Sequence, residues 1–155
     1  MSTTDDNVLG RLNLARTAKK KHEPKGPSKG KRPEKENKQD LEQWFLDGDK
    51  QATGKCRHCG GRTCKGDPLF YKHSQAHILP KRLFPSIATH HLNRVELCFW
   101  ENNCHGNFDN GTLDLMDMNC FDEIIEKFIA IYPDIAPEER KYIPDILLQY
   151  VKNRQ

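Results

Sequence analysis

Long apolar runs are missing from this chain. No stretch approaches the roughly 18 consecutive apolar residues that a membrane span needs, which argues against a helical membrane protein. A secretory leader is not expected either, since MSTTDDNV offers neither a basic start nor an apolar stretch behind it. The expectation is a soluble, cytoplasmic protein with no membrane partner. Hydrophobic residues are scarce, at 35% against 30% charged in 155 residues. A core built from so few is small, and small cores often need a metal or disulfide staple. No internal repeat and no helix-turn-helix reader is evident. Cysteine is plentiful by contrast: six Cys and seven His are present. In a reducing compartment, paired cysteines favour metal over disulfide.

Charge is unevenly spread. The net charge is +3, yet residues 1–36 hold ten Lys/Arg against five Asp/Glu, and the remainder is slightly acidic. Residues 1–37 include KKKHEPKGPSKGKRPEKE, which cannot bury enough surface to offset the entropy of ordering. They are predicted to be a disordered basic tail. Such a tail serves either as a non-specific phosphate-binding arm or as a solubilising extension. Residues 38–118 are expected to form the core domain and 119–155 a helical extension packed on it.

The coarse reading is α+β. Leu41, Trp44 and Phe45 predict a helix over 39–48 that Gly48 ends. Strands are expected over Tyr71–Leu79, before Pro80, and over Arg94–Phe99. The segment ENNCHGNFDNG reads as a turn running into a short helix. Asn119 is a candidate cap for a helix whose stripe is Phe121, Ile124, Ile125, Phe128, Ile129 and Tyr132, stopped by Pro133. Pro137 and Pro144 sit where first helical turns can begin. Ile146, Leu147, Tyr150 and Val151 make a final stripe. These stripes read as packing surface, with a homodimer contact as the alternative.

Cys56-x-x-Cys59 has the spacing of a metal knuckle, because two thiolates on a tight turn can reach one tetrahedral ion. Cys98 and Cys104 are the expected second pair of a structural zinc site, although their five-residue gap requires FWENN to bulge. Cys64 is the rival fourth ligand. Cys120 reads as a core thiol, and His58, inside the knuckle, is expected to point away from the ion. If CHGNFD opens a helix, His105 and Asp109 share one face.

Between and beside the cysteine pairs stand His77 in HSQAHILP, Asn93 in HLNRVELC and His105 in CHGNFD. In this ordered set, spanning roughly Cys56 to Gly111, the sequence resembles the zinc-stapled members of the HNH endonuclease family. The resemblance implies a ββα-metal core on the zinc knuckle and a metal-dependent cut in nucleic acid, DNA above RNA. It implies His77 as the general base, Asn93 as a residue that orients the base or helps bind metal, and His105 as a ligand to a catalytic Mg2+ or other divalent ion. Asp109 is the expected co-ligand. Products would carry a 5′ phosphate and a 3′ hydroxyl. The chemistry is consistent: hydrolysis needs a base for water and a cation against the phosphate charge, and imidazole titrates near neutrality.

The sequence departs from the family at Ala76, where many members carry a further metal ligand just before the first His. His73, which points to the same side as His77 along the expected strand, and His90 or His91 beside Asn93 are candidates to compensate. Lys81, Arg82 and Arg94 are candidate phosphate contacts or plain surface charges. Two other readings stand beside the endonuclease. One is a non-catalytic zinc module that binds nucleic acid or a protein, and the other is a purely structural zinc protein.

Overall fold

The computed structural model describes residues 34–153, with side chains from residue 38 onward. The basic segment 1–33 lies outside the described residues. Four α-helices and one small sheet make up the architecture. Helix α1 spans Glu34–Gln51, strand β1 Gln75–Ala76, strand β2 Val95–Glu96, and helices α2, α3 and α4 span Cys104–Asn110, Phe121–Ile131 and Asp145–Lys152.

Helix α1 starts inside the segment assigned to the tail and runs three residues past Gly48. Gly48 is not its stop. A Cβ there would meet the Gln75 side chain at 2.8 Å and the Arg94 guanidinium at 2.9 Å, so this glycine lets α1 approach the sheet closely. Trp44 on the same face is buried.

The sheet is an antiparallel pair of two residues per strand, Gln75 opposite Glu96 and Ala76 opposite Val95. Both strands are shorter than the sequence pattern suggests. The Asp67 carboxylate accepts from the backbone of Leu69 and Phe70 at 2.9 and 3.0 Å and winds the chain into turns. Tyr71–Ser74 then forms a 3-10 turn instead of strand. His73 and His77 consequently do not share a strand face. At the other end, the Leu79 backbone bonds to the Asn93 side chain rather than to a ladder partner.

Helix α2 begins where expected. Asn103 caps it from a left-handed conformation, φ 46°, with its side chain accepting from Gly106 N–H. Asn119 does not cap α3. Its amide and backbone N–H both bond to His58 instead, tying the knuckle to the start of that helix. After Pro133 the chain makes 3-10 turns, including Arg140–Tyr142, and Pro144 leads into α4.

A single core joins these parts. Ala76, Val95 and Leu97 from the sheet region pack in one cluster with Ile124, Phe128 and Ile131 of α3 and Leu147 of α4. Phe121, Ile129 and Val151 are only partly buried at its edge. Among the described residues, no helix is long and apolar enough to cross a membrane.

Candidate metal centre and active site

Cys56, Cys59, Cys98 and Cys104 converge, with all four sulfurs within 4.8 Å of one another. A tetrahedral zinc ion with bonds of about 2.3 Å places its sulfurs about 3.8 Å apart. The Cys59–Cys98 separation of 3.6 Å fits that geometry. The knuckle is made by Cys56 N–H bonding to Gly61 O at 2.7 Å and Gly60 N–H to Cys56 O at 2.9 Å, with Gly60 at φ +76°. The five-residue gap closes because His105 N–H returns to Cys98 O at 3.0 Å while FWENN loops outward. All six cysteines are free thiols. Cys64 and Cys120 stand outside the cluster, buried in the protein.

The cluster's electrostatics suit a cation. Burial pushes the Cys56 and Cys104 thiols up. Burial also opposes ionisation of Cys59, but hydrogen bonds from Asn102, the Gly61 N–H and its neighbouring thiols bring it down to about 7. Thiolates gathered this closely repel one another, and a divalent ion removes the repulsion.

Glu96 fastens the knuckle to β2. Its buried carboxylate accepts from the Thr53 and Gly54 N–H groups at 2.7 and 2.9 Å, and from the hydroxyls of Thr53 and Thr63 at 3.0 and 2.7 Å. Nothing in the sequence marks Glu96 for this task. Its four donors are spread between residues 53 and 63, and only the fold brings them to it.

His77 follows β1 directly. Its ring stacks on Trp44, with centroids 4.2 Å apart and planes 12° from parallel. Its Nε2 lies 3.0 Å from Ala88 O. A carbonyl only accepts, so in the neutral ring Nε2 carries the hydrogen and Nδ1 carries the lone pair. Nδ1 has no hydrogen-bond partner among the described residues. Burial lowers the imidazole to about 4, with Lys81 and His105 pushing the same way and the Ala88 carbonyl and Asp109 opposing. The ring is therefore neutral at pH 7. Trp44, read from the sequence only as core, is what holds it flat.

Asn93 is fully buried and its amide is spent on the backbone. Oδ1 accepts from Leu79 N–H at 2.8 Å, and Nδ2 donates to Leu79 O and Ile87 O at 3.1 and 3.2 Å. It closes the loop 79–93 and so presents Ala88 O to His77. Both ends of its amide are thus engaged by the backbone, and the side chain has no solvent-exposed surface.

His105 and Asp109 share one face of α2. Nε2 of His105 lies 3.2 Å from an Asp109 oxygen, while Nδ1 meets His73 O. Nδ1 must donate to that carbonyl, which leaves the Nε2 lone pair facing a carboxylate. Two acceptors at this distance need a proton or a metal ion between them. Burial disfavours the charged ring, but Asp109 and the His73 carbonyl outweigh it and raise the imidazole. A histidine whose second ring nitrogen donates to a backbone carbonyl is also the arrangement usual for metal ligands.

The remaining candidates divide. Lys81 and Arg82 are exposed on the loop after β1. Arg94 is turned inward, bonding Trp44 O at 2.8 Å and lying 5.5 Å over the Trp44 ring. Its guanidinium braces α1 rather than facing solvent. The His73 ring stacks on Phe99, away from a metal-ligating role, and His90 pairs with Asp134 at 3.3 Å. Ala76 is fully buried in the core.

Comparison with known proteins found no matching family model, no matching curated protein and no matching solved structure.

Proposed function

We propose that this protein is a metal-dependent endonuclease of the HNH type, built as a ββα-metal unit on a zinc knuckle and acting on DNA. One observation supports the reading above others. A short antiparallel pair and the helix after it carry a neutral imidazole, His77, whose Nδ1 is left without a hydrogen-bond partner among the described residues, and a His–carboxylate pair, His105 and Asp109, whose charges act on that imidazole. A divalent ion held by His105 and Asp109 would supply charge stabilisation to the scissile phosphate and the leaving 3′ oxygen.

In this reading His77 Nδ1 takes the proton of the attacking water, while Nε2 stays anchored on Ala88. Trp44 and Asn93 fix the ring and its carbonyl anchor. Lys81 and Arg82 hold phosphates beside the cut, and the basic segment 1–33 adds non-specific affinity. In-line attack leaves a 5′ phosphate and a 3′ hydroxyl.

The test is supercoiled plasmid incubated with the zinc-loaded protein in Mg2+, Mn2+ or excess EDTA, beside His77→Ala. Metal-dependent nicking that vanishes in the variant is expected. Normal cutting by His77→Ala would sink the base assignment. A non-catalytic zinc module is favoured by one observation, the buried Ala76, which brings no ligand to the ion. Absence of nicking with every metal, from protein that still binds DNA, selects that module.

A further inference from the structure

Four aromatic rings gather on the surface beside the candidate site. Trp100 meets Phe70 and Phe99 at centroid distances of 5.3 and 4.8 Å, both near perpendicular. The His73 ring stacks on Phe99 at 4.5 Å. Trp100 is 63% exposed, and His73 is exposed as well. Exposed aromatic clusters are disfavoured in water unless something covers them. None of these rings has a part in the proposed cleavage chemistry.

Three features bear on the occupant. The patch is aromatic, which suits a flat π-surface better than an aliphatic side chain. It is anchored at both ends, because Trp100 sits in the loop closed by Cys98 and Cys104, both members of the cysteine cluster. It is continuous with the candidate site, because His73 contributes its ring to the patch and its carbonyl to His105 Nδ1. Ring and carbonyl of one residue thus link a stacking surface to a ligand of the scissile phosphate's metal. A nucleotide has the same two parts, a base and a phosphate joined by one sugar.

We propose that Trp100, backed by Phe70, Phe99 and His73, is a stacking platform for an unpaired nucleobase next to the cut. The proposal rests on the endonuclease reading and narrows its substrate to single-stranded or locally opened nucleic acid. In a duplex both faces of each base are already stacked, whereas an unpaired base has a free face to offer.

Tryptophan fluorescence tests it directly. The chain has two tryptophans, and Trp44 is 3% exposed, so red-edge emission reports Trp100. Full-length zinc-loaded protein is titrated, without added Mg2+, with oligo(dT), an abasic oligomer of equal length and a blunt duplex. Oligo(dT) should quench the exposed tryptophan and the abasic oligomer should not. Trp100→Leu should lose the quench and bind oligo(dT) on the order of tenfold more weakly, as loss of one stacked base predicts. Trp100→Phe should keep most of the affinity, and retained zinc in both variants shows that the fold is intact. Oligo(dT) binding without quenching, or equal binding by Trp100→Leu, overturns the platform. So does a blue shift of Trp100 on raising protein concentration alone, which would put a second copy on the patch. Plasmid nicking separates the two ideas. Nicking without quenching sinks only the platform, and quenching without nicking in any metal sinks only the nuclease.

Discussion

His77 is neutral because its pocket is poor in water. Burial holds it at about 4, below the ordinary value of 6.5. The folded state therefore resists a proton that the unfolded chain accepts, so stability is full above about pH 6.5 and is lost as pH falls toward 4. Between pH 7 and 5, wild type should lose on the order of 1–2 kcal/mol more than His77→Ala, as read by urea unfolding. Equal losses would show that the ring is solvated. As a base, His77 should also keep its lone pair through mild acid. The acid limb of a plasmid-nicking pH profile should then lie below pH 6 rather than at 6.5. Asn93 carries a structural load of a different kind. Asn93→Ala leaves one N–H and two carbonyls without their partner inside the protein, a cost of about 2–4 kcal/mol. It also frees the loop that aims Ala88 O, so cleavage should fall further than the folded fraction does. Unchanged unfolding midpoint in that variant would show the three bonds to be dispensable.

At the scale of elements, the knuckle and the strand–strand–helix unit are joined by Glu96 and by the cysteines. Cys98 follows β2 closely and Cys104 opens α2, so an ion held by the four cysteines would tie strand, helix and knuckle together. Metal analysis should find one zinc per chain in the cluster. Cys98→Ser should lose it and unfold, since binding energy at such a site is folding energy. Glu96→Ala should weaken zinc about 10- to 100-fold, as loss of outer hydrogen bonds does elsewhere, measured by chelator competition. Undiminished zinc affinity would mean that the knuckle orders itself. The element boundaries were only partly legible beforehand. Helix α2 and the α3 stripe follow from periodicity and from Pro133. The strands are shorter than their pattern predicts, because Asp67 and Asn93 capture backbone groups that a ladder would otherwise use. Gly48 does not stop α1, because its role depends on Gln75 and Arg94, far along the chain.

The described residues share one buried core that joins the sheet region to the C-terminal helices. Ile124, Phe128 and Ile131 are fully buried against residues of the sheet region. Glu139 reaches back to accept from Ser86 N–H at 3.1 Å, pinning the loop between the strands to the C-terminal segment. Removing residues 119–155 should therefore leave a chain that fails to fold, even with zinc. Poor dispersion in its amide NMR spectrum is the expected result. A well-dispersed spectrum would establish 38–118 as an autonomous domain.

Local order followed from the sequence. The Cys-x-x-Cys turn, the His105–Asp109 spacing on a helix and the apolar stripes depend on neighbours a few residues apart, and short-range geometry is written in spacing. Partnership across the chain was decided only by the tertiary structure. It selected Cys98 and Cys104 over Cys64 as the second pair, turned Arg94 inward, committed Asn93 to the backbone, laid Trp44 on His77 and set Trp100 at the surface beside His73. Each of these joins residues from distant segments or depends on how they pack, and packing is settled by which buried polar groups find partners once the single core has closed.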